Sequence, residues 1–406
     1  MPETPIIIIG AGISGLILAQ HLQSQGIPFE IFDSDSAFDA RNGGWGLTLH
    51  WALPALRQLL PEYLVARLPE TFVNKDAAAR GDMGRFQFFD LKSGQALYDV
   101  PAEERIRVNR GRMRELLTCG LKIQWNKKFV NIESSEKSII AHFDDGSSCT
   151  GCLLVAADGA RSRARQILYP QGYAMNQLPV QLLGASALYT QEQLGGVETI
   201  DPYIFQGSHP DTDVFMFFSF LDTPSNFNES SRNQYHCQIV VSWADKKGIL
   251  LPSTNSDRMA LMRQLTDNWA EPFRSLVYNL PEETEARSIR VDDWIFQPGQ
   301  SDEYPRVILV GDAAHTMTML VRGEGANNAI VDVLDLVEKV DLGNISALSS
   351  ADLALSRAAY EDQIFSRVEP SVLASRQACL DAHDFSQIKG SPLVTPRIWK
   401  SRSDLK

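Results

Sequence analysis

The sequence predicts an α/β fold with an α+β insertion: a Rossmann-like dinucleotide-binding domain, an inserted, mostly antiparallel β-sheet domain, and C-terminal helices. Three observations lead there. The β-branched run Ile6-Ile7-Ile8-Ile9 feeds directly into a glycine-rich turn and then a helical pattern, the order of a βαβ unit. Two later apolar runs, Leu153 to Ala157 and Val307 to Val310, each lead to an aspartate, placed where α/β folds bind ligands, at the carboxyl ends of buried strands. Between them, from about 180 to 245, aromatic and β-branched residues alternate in short runs, as antiparallel strands do.

The elements follow in order. Leu16, Ala19 and Leu22 recur at helical spacing, Gly26 stops that helix, and Phe29 to Phe32 reads as the second strand. The stretch 83–100 reads as hairpin material, Arg110 to Leu117 as a helix, and 121–132 and 138–144 as strands. Tyr203-Ile204-Phe205, Val214 to Phe220 and Ile239 to Trp243 are strands of the inserted sheet, separated by turns such as Pro224-Ser225-Asn226. Helical patterning resumes at 256–268 and runs, after the Val307 strand, to about 381. The resulting division is a discontinuous frame of 1–175 and 285–340, a sheet domain of 176–284, and helices and tail over 341–406. The Pro-, Ser- and Arg-containing tail after Gly390 is expected to be an exposed arm.

Composition narrows the function. A chain of 406 residues with 44% hydrophobic and 22% charged residues is an ordinary globular protein. Its net charge of -12 argues against a nucleic-acid surface. No apolar run is long enough for a membrane span, and no basic flank precedes the N-terminal apolar run, so a cytoplasmic protein is expected. Five cysteines form no disulfide framework at this size. Cys149-x-x-Cys152 lacks the further ligands of a structural zinc site, so no metal is expected.

The first motif is Gly10-Ala11-Gly12-Ile13-Ser14-Gly15. The first glycine permits the tight turn, the second lets the backbone approach a pyrophosphate, and the third packs the helix on the strand. The helix N-terminus then offers unpaired N–H groups to the anion. Asp33 stands where an acid would bind the ribose diol. The same motif serves NAD and FAD. Two further motifs, Asp158-Gly159 and Gly311-Asp312-Ala313-Ala314-His315, set carboxylates at strand ends, where sugar or ribityl hydroxyls can be held.

Together these motifs, in order and at matching spacing from Gly10 to about His383, resemble the class A flavoprotein monooxygenases, a family that includes para-hydroxybenzoate and salicylate hydroxylases. The runs Gly44-Trp45-Gly46-Leu47-Thr48-Leu49-His50-Trp51 and Arg322-Gly323-Glu324-Gly325 are most similar to fungal members acting on secondary metabolites. The resemblance implies bound FAD, held by Gly10, Gly12, Gly15 and Asp33, by Arg41, Gly44 and Gly46 crossing its pyrophosphate and ring, and by Arg110. Asp158 (associated with both FAD and NAD(P)H), Asp312 on the ribityl chain, and Gly323, Gly325 and Asn327 beside the isoalloxazine complete that set. It implies a transient NAD(P)H donor, O2 and a small, aromatic or polycyclic organic substrate, hydroxylated or epoxidised by way of a flavin C4a-hydroperoxide. Three features depart from the family: the proline usual after the Gly-Asp motif is replaced by Thr316-Met317-Thr318-Met319-Leu320-Val321, the stretch between His315 and Gly323 is one residue longer than the usual form, and no tyrosine matches those that polarise a phenol in para-hydroxybenzoate hydroxylase.

Several residues admit two readings. His50 and Arg322 are candidates for a catalytic part, His50 being equally well a packed histidine. His315 has the side chain of a general base but reads as structural. Arg161, Arg163 and Arg165 could dock a nicotinamide nucleotide phosphate or form a solvated helix face. Tyr203, Phe205, Phe215, Phe217 and Trp243 are sheet-face residues, a few of them facing a substrate cavity. The competing functions are an oxidase or oxidative cyclase on the same frame, a non-catalytic FAD-bearing scaffold, and an NAD-dependent dehydrogenase. A halogenase is disfavoured, because Trp294-Ile295-Phe296 does not continue into that class's Trp-x-Trp-x-Ile-Pro segment.

Overall fold

The computed structural model describes residues 4–40, 44–100, 104–227, 233–299, 303–318 and 322–396, apart from the side chain of Lys247. The strand Ile6–Ile9 lies at the centre of a five-stranded parallel sheet, between Leu153–Ala156 and Phe29–Phe32, with Val307–Leu309 and Ile123–Gln124 at the edges. Central position explains its composition: every isoleucine is covered on both faces, with exposure of 4% or less. Helix Ile13–Ser24 crosses from the first strand to the second.

A seven-stranded sheet forms the second layer, ordered 287–288, 180–190, 234–244, 215–222, 204–208, 87–90, 96–98. It extends past the 176–284 segment expected from the sequence, because Gln87–Asp90 pairs parallel with Ile204–Ser208 and carries Ala96–Tyr98 with it. One face packs Phe205, Phe218, Val241 and Trp243 against helices Asn255–Leu265 and Phe273–Tyr278. The other, bearing Ile204, Phe217 and Val240, faces the dinucleotide frame.

Helices Gly325–Lys339 and Ser350–Asp381 close the frame. Buried Arg367 joins them, donating 2.8 Å bonds to Asp332 and Asp335. The start of the tail differs from the expected exposed arm. Ser391 and Leu393 are 3% and 0% exposed, and the Pro392 carbonyl accepts from Arg322; a leucine with an apolar recess available gains more by burial than by solvation. Among the described residues no helix is long and apolar enough to cross a membrane.

Candidate active site

The glycine turn is fixed by sterics. Gly10 has φ +106°, and a Cβ there would lie 2.3 Å from the Ala157 carbonyl oxygen; a Cβ on Gly15 would lie 2.0 Å from the Gly10 oxygen. Gly12 is different: among the described residues nothing lies within 4 Å of where its Cβ would be. That open space at a helix N-terminus is the cradle a phosphate requires. Asp33 secures the turn, its Oδ2 accepting from Ala11 N at 2.7 Å and its Oδ1 from Asp35 N at 2.8 Å. The helix Arg110–Thr118 contributes a residue that sequence reasoning missed. Buried Arg114 donates to the Ala11 carbonyl at 2.8 Å, lies 3.4 Å from Asp35, and is stacked by Phe38 and Trp125 at 5.4 Å. Its signal was a charged residue adjoining Met113 on the apolar face of that helix.

From the turn's end of the sheet opens a cavity of about 270 Å³. On the frame side it is lined by Gly46, Thr48, His50, Arg110, Asp312 and the Gly323–Ala326 turn; the sheet side supplies Phe86, Ile204 and Phe217. Asp312 is exposed into the cavity, yet enclosure by protein raises its carboxyl above the ordinary carboxylate range, against the pull of His315, Arg110 and Arg165. Gly323 adopts φ +68°, and among the described residues neither it nor Gly325 has an atom within 4 Å of a Cβ position. These two open glycines continue the cradle along the wall that carries Asp312. The donor set of N–H groups at the turn, carboxylate hydroxyl acceptors and bare backbone beside a flat space fits FAD.

Other expected residues serve the frame. Asn327 does not line the cavity; its amide donates to Thr48 O at 2.9 Å and accepts from His50 N at 2.9 Å, binding the Gly46–Leu49 strand to the helix behind it. Asp158 also stands off the cavity. Its Oδ2 caps helix Arg163–Leu168 through Arg163 N at 2.7 Å and Ala164 N at 3.2 Å, and burial raises its carboxyl. His315 is fully buried and 2.6 Å from Asp332, whose Oδ2 also receives Gly311 N, so it fixes the Gly-Asp turn from behind. The arginine cluster divides: Arg165 is buried, 4.6 Å over the Trp294 ring, rather than part of a basic surface, while Arg163 bonds Val130 O. Arg322 lines the cavity but is engaged by Glu324 at 2.5 Å and by Pro392. His50 also lines it, with its ring edge-on to Trp51 at 5.9 Å. Gly44 lies at φ +73° just outside the lining, and Arg41 falls outside the described residues. Burial raises the Cys149 thiol to about 11, which keeps it protonated and unreactive.

A parallel sheet with a glycine cradle, and a cavity walled by Asp312 and an antiparallel sheet, define a flavin-binding oxidoreductase. Residues 3–342 match the FAD binding domain family. The chain is 42% identical over 97% of its length, and 95% of the relative's, to a protein of Arthroderma benhamiae named "Probable FAD-dependent monooxygenase". It is 40% identical to the FAD-dependent monooxygenase dbaB of Emericella nidulans, over 84% of this chain and 87% of that one. In fold it matches 2,6-dihydroxypyridine-3-hydroxylase of Arthrobacter nicotinovorans, with a TM-score of 0.75, 17% identity and 98% of each chain covered. The chain belongs to the FAD binding domain family and is an FAD-dependent monooxygenase of the class A flavoprotein type.

Proposed function

We propose that this monooxygenase inserts oxygen into a small aromatic or polycyclic secondary metabolite, with NAD(P)H as a transient electron donor. The observation that carries the reading is a cavity lined on one side by the Asp312–Gly323–Gly325 cradle and on the other by the apolar residues Phe86, Ile204 and Phe217. Gly12 and the N-terminus of helix Ile13–Ser24 would receive the pyrophosphate, Asp33 a ribose hydroxyl, and Asp312 with Arg110 the ribityl end. FAD supplies, when bound, the redox chemistry that activates O2. The protein's part is to place the substrate ring against the sheet and to exclude water there, which apolar walls favour. Asp158 and Asn327 support this site from behind.

The test is NADPH and NADH oxidation by the yellow holoenzyme, with and without polyketide-type phenols. Substrate-stimulated oxidation with an oxygenated product is expected. Oxidation that yields only hydrogen peroxide for every aromatic offered would refute the monooxygenation of such substrates.

A further inference from the structure

The sheet-facing wall of the cavity holds a cation with unusual surroundings. Arg107, in strand Ile106–Asn109, sits directly opposite Thr48 and is 6% exposed. Its Nη1 donates to Thr48 Oγ1 at 2.8 Å and its Nη2 to Ser219 Oγ at 2.9 Å. Both acceptors are neutral, and among the described residues the buried Nε has no acceptor. The ion pairs nearby belong to Arg112 and Arg114, and among the described residues Arg107 makes none. A guanidinium has more N–H donors than two hydroxyls can satisfy, and a buried charge ordinarily has a counter-charge. Burial pushes the pKa of Arg107 down to about 9, against the attraction of the Asp201 carboxylate and with the repulsion of Arg105, which lines the same cavity; at neutral pH it remains a cation.

The position is built for it. A Cβ on Gly46 would lie 2.6 Å from Arg107 Nη2, so that glycine provides the room in which the guanidinium lies. Ser219 pairs in register with Gln238, a fully buried residue whose amide nitrogen and oxygen both lack partners. Trp45 also lines the cavity, and it packs so closely on the sheet that a Cβ at Gly184 would lie 2.8 Å from its ring. The cavity therefore offers aromatic surface beside a buried cation that, among the described residues, has no direct ion pair, in a protein whose net charge is -12.

We propose that Arg107 selects the substrate by holding an anionic oxygen, phenolate (or enolate) or carboxylate, of a planar aromatic molecule that lies among Trp45, Phe86 and Phe217. This rests on the reading of the cavity as the meeting place of FAD and substrate. Arg107 is a specificity residue and takes no part in the redox steps. A charge-assisted bond in this setting gives the anion an advantage of roughly tenfold or more over a neutral isostere.

The test titrates the holoenzyme with naphthoate and its neutral partner naphthamide, and with ionised dinitronaphthol and its methyl ether, reading the flavin's visible spectrum. Wild-type protein is expected to bind at least one anion roughly tenfold more tightly than its neutral partner, and which anion does so separates carboxylate from phenolate. Arg107→Gln, which removes the charge but keeps a polar amide in the strand, should retain FAD and lose the preference; Arg107→Lys should keep part of it. Absence of any preference in the wild type, or a preference that survives Arg107→Gln, overturns the proposal. Should Arg107→Gln fail to fold, the wild-type preference and its retention in Arg107→Lys decide the matter. A wild-type protein without flavin absorbance would instead overturn the cofactor reading, a separately visible failure.

Discussion

Replacing Gly12 and Gly15 by alanine separates the two jobs of one turn. At Gly15 the added methyl would sit 2.0 Å from the Gly10 oxygen and 3.3 Å from the Ala157 Cβ. Both obstacles are fixed by the parallel sheet, so helix Ile13–Ser24 must move off its strand, at a cost of about 1–3 kcal/mol or more. Gly12 has φ -80°, which alanine adopts freely, and among the described residues nothing within 4 Å of the methyl. Gly12→Ala should therefore leave the apo-protein as stable as wild type, or stabilise it by roughly 0.4–1 kcal/mol through the unfolded chain. The methyl would instead occupy the space into which a pyrophosphate must come. Loss of one charge-assisted bond to that anion costs about 1.5–3 kcal/mol, which weakens FAD binding roughly 10- to 150-fold. Thermal melts of flavin-stripped protein and titration with FAD by fluorescence quenching read the two effects independently. If Gly12→Ala melts as low as Gly15→Ala without flavin, or binds FAD as tightly as wild type, the division of labour is wrong.

Three further outcomes follow from the packing. Burial would raise the Asp332 carboxyl, but His315 and Arg367 outweigh it and hold it at about 2, below its ordinary 3.8. The resulting stabilisation, roughly 2 kcal/mol, is fully present above pH 4 and is lost as pH falls through about 2. Asp332→Asn should accordingly lose roughly 3 kcal/mol in urea unfolding at neutral pH, with the gap to wild type narrowing between pH 4 and 2; a constant gap would contradict the assignment. Truncation after Gly390 removes fully buried Leu393 and the acceptor of Arg322, and should destabilise by about 2–5 kcal/mol, where an exposed arm would cost nothing measurable. Gly184→Ala should displace the Trp45 ring, raising KM for the substrate severalfold while FAD content stays unchanged; a normal KM would place Trp45 away from the bound ring.

What could be read from the sequence was local. The strand-turn-helix at Gly10, the Gly26 stop and the strands ending at Asp158 and Asp312 each carry their signal within a few residues, because a tight turn and a buried strand impose composition directly. The membership of Gln87–Asp90 in the large sheet carried no such signal, since it depends on parallel pairing with Ile204–Ser208, more than a hundred positions away. Asn327 and Asp158 were legible as special positions but not in their roles. An asparagine facing a cofactor and one bridging a strand to a helix look the same in sequence, and only the partners of its amide, Thr48 O and His50 N, tell them apart. Arg107 was passed over for a different reason. It holds the polar slot of the alternation Ile106-Arg107-Val108, the pattern of an ordinary half-exposed strand, and its burial becomes visible only when the large sheet covers that face.

The paired and unpaired arginines divide the cavity along its length. At the cradle end, Arg322 is matched by Glu324 and Arg110 acts on Asp312, so positive charge there is offset by the protein's own carboxylates. At the sheet end Arg107 has only hydroxyl partners. The Asp201 carboxylate attracts it without pairing with it, so the desolvation cost of the buried guanidinium is offset only in part. The chain forgoes a direct ion pair at this wall, and Gly46, Thr48 and Ser219 hold the cation in place without neutralising it. That arrangement is unfavourable in the empty protein and becomes favourable once an anionic ligand supplies the missing charge, so affinity and charge selectivity arise from the same unpaired group.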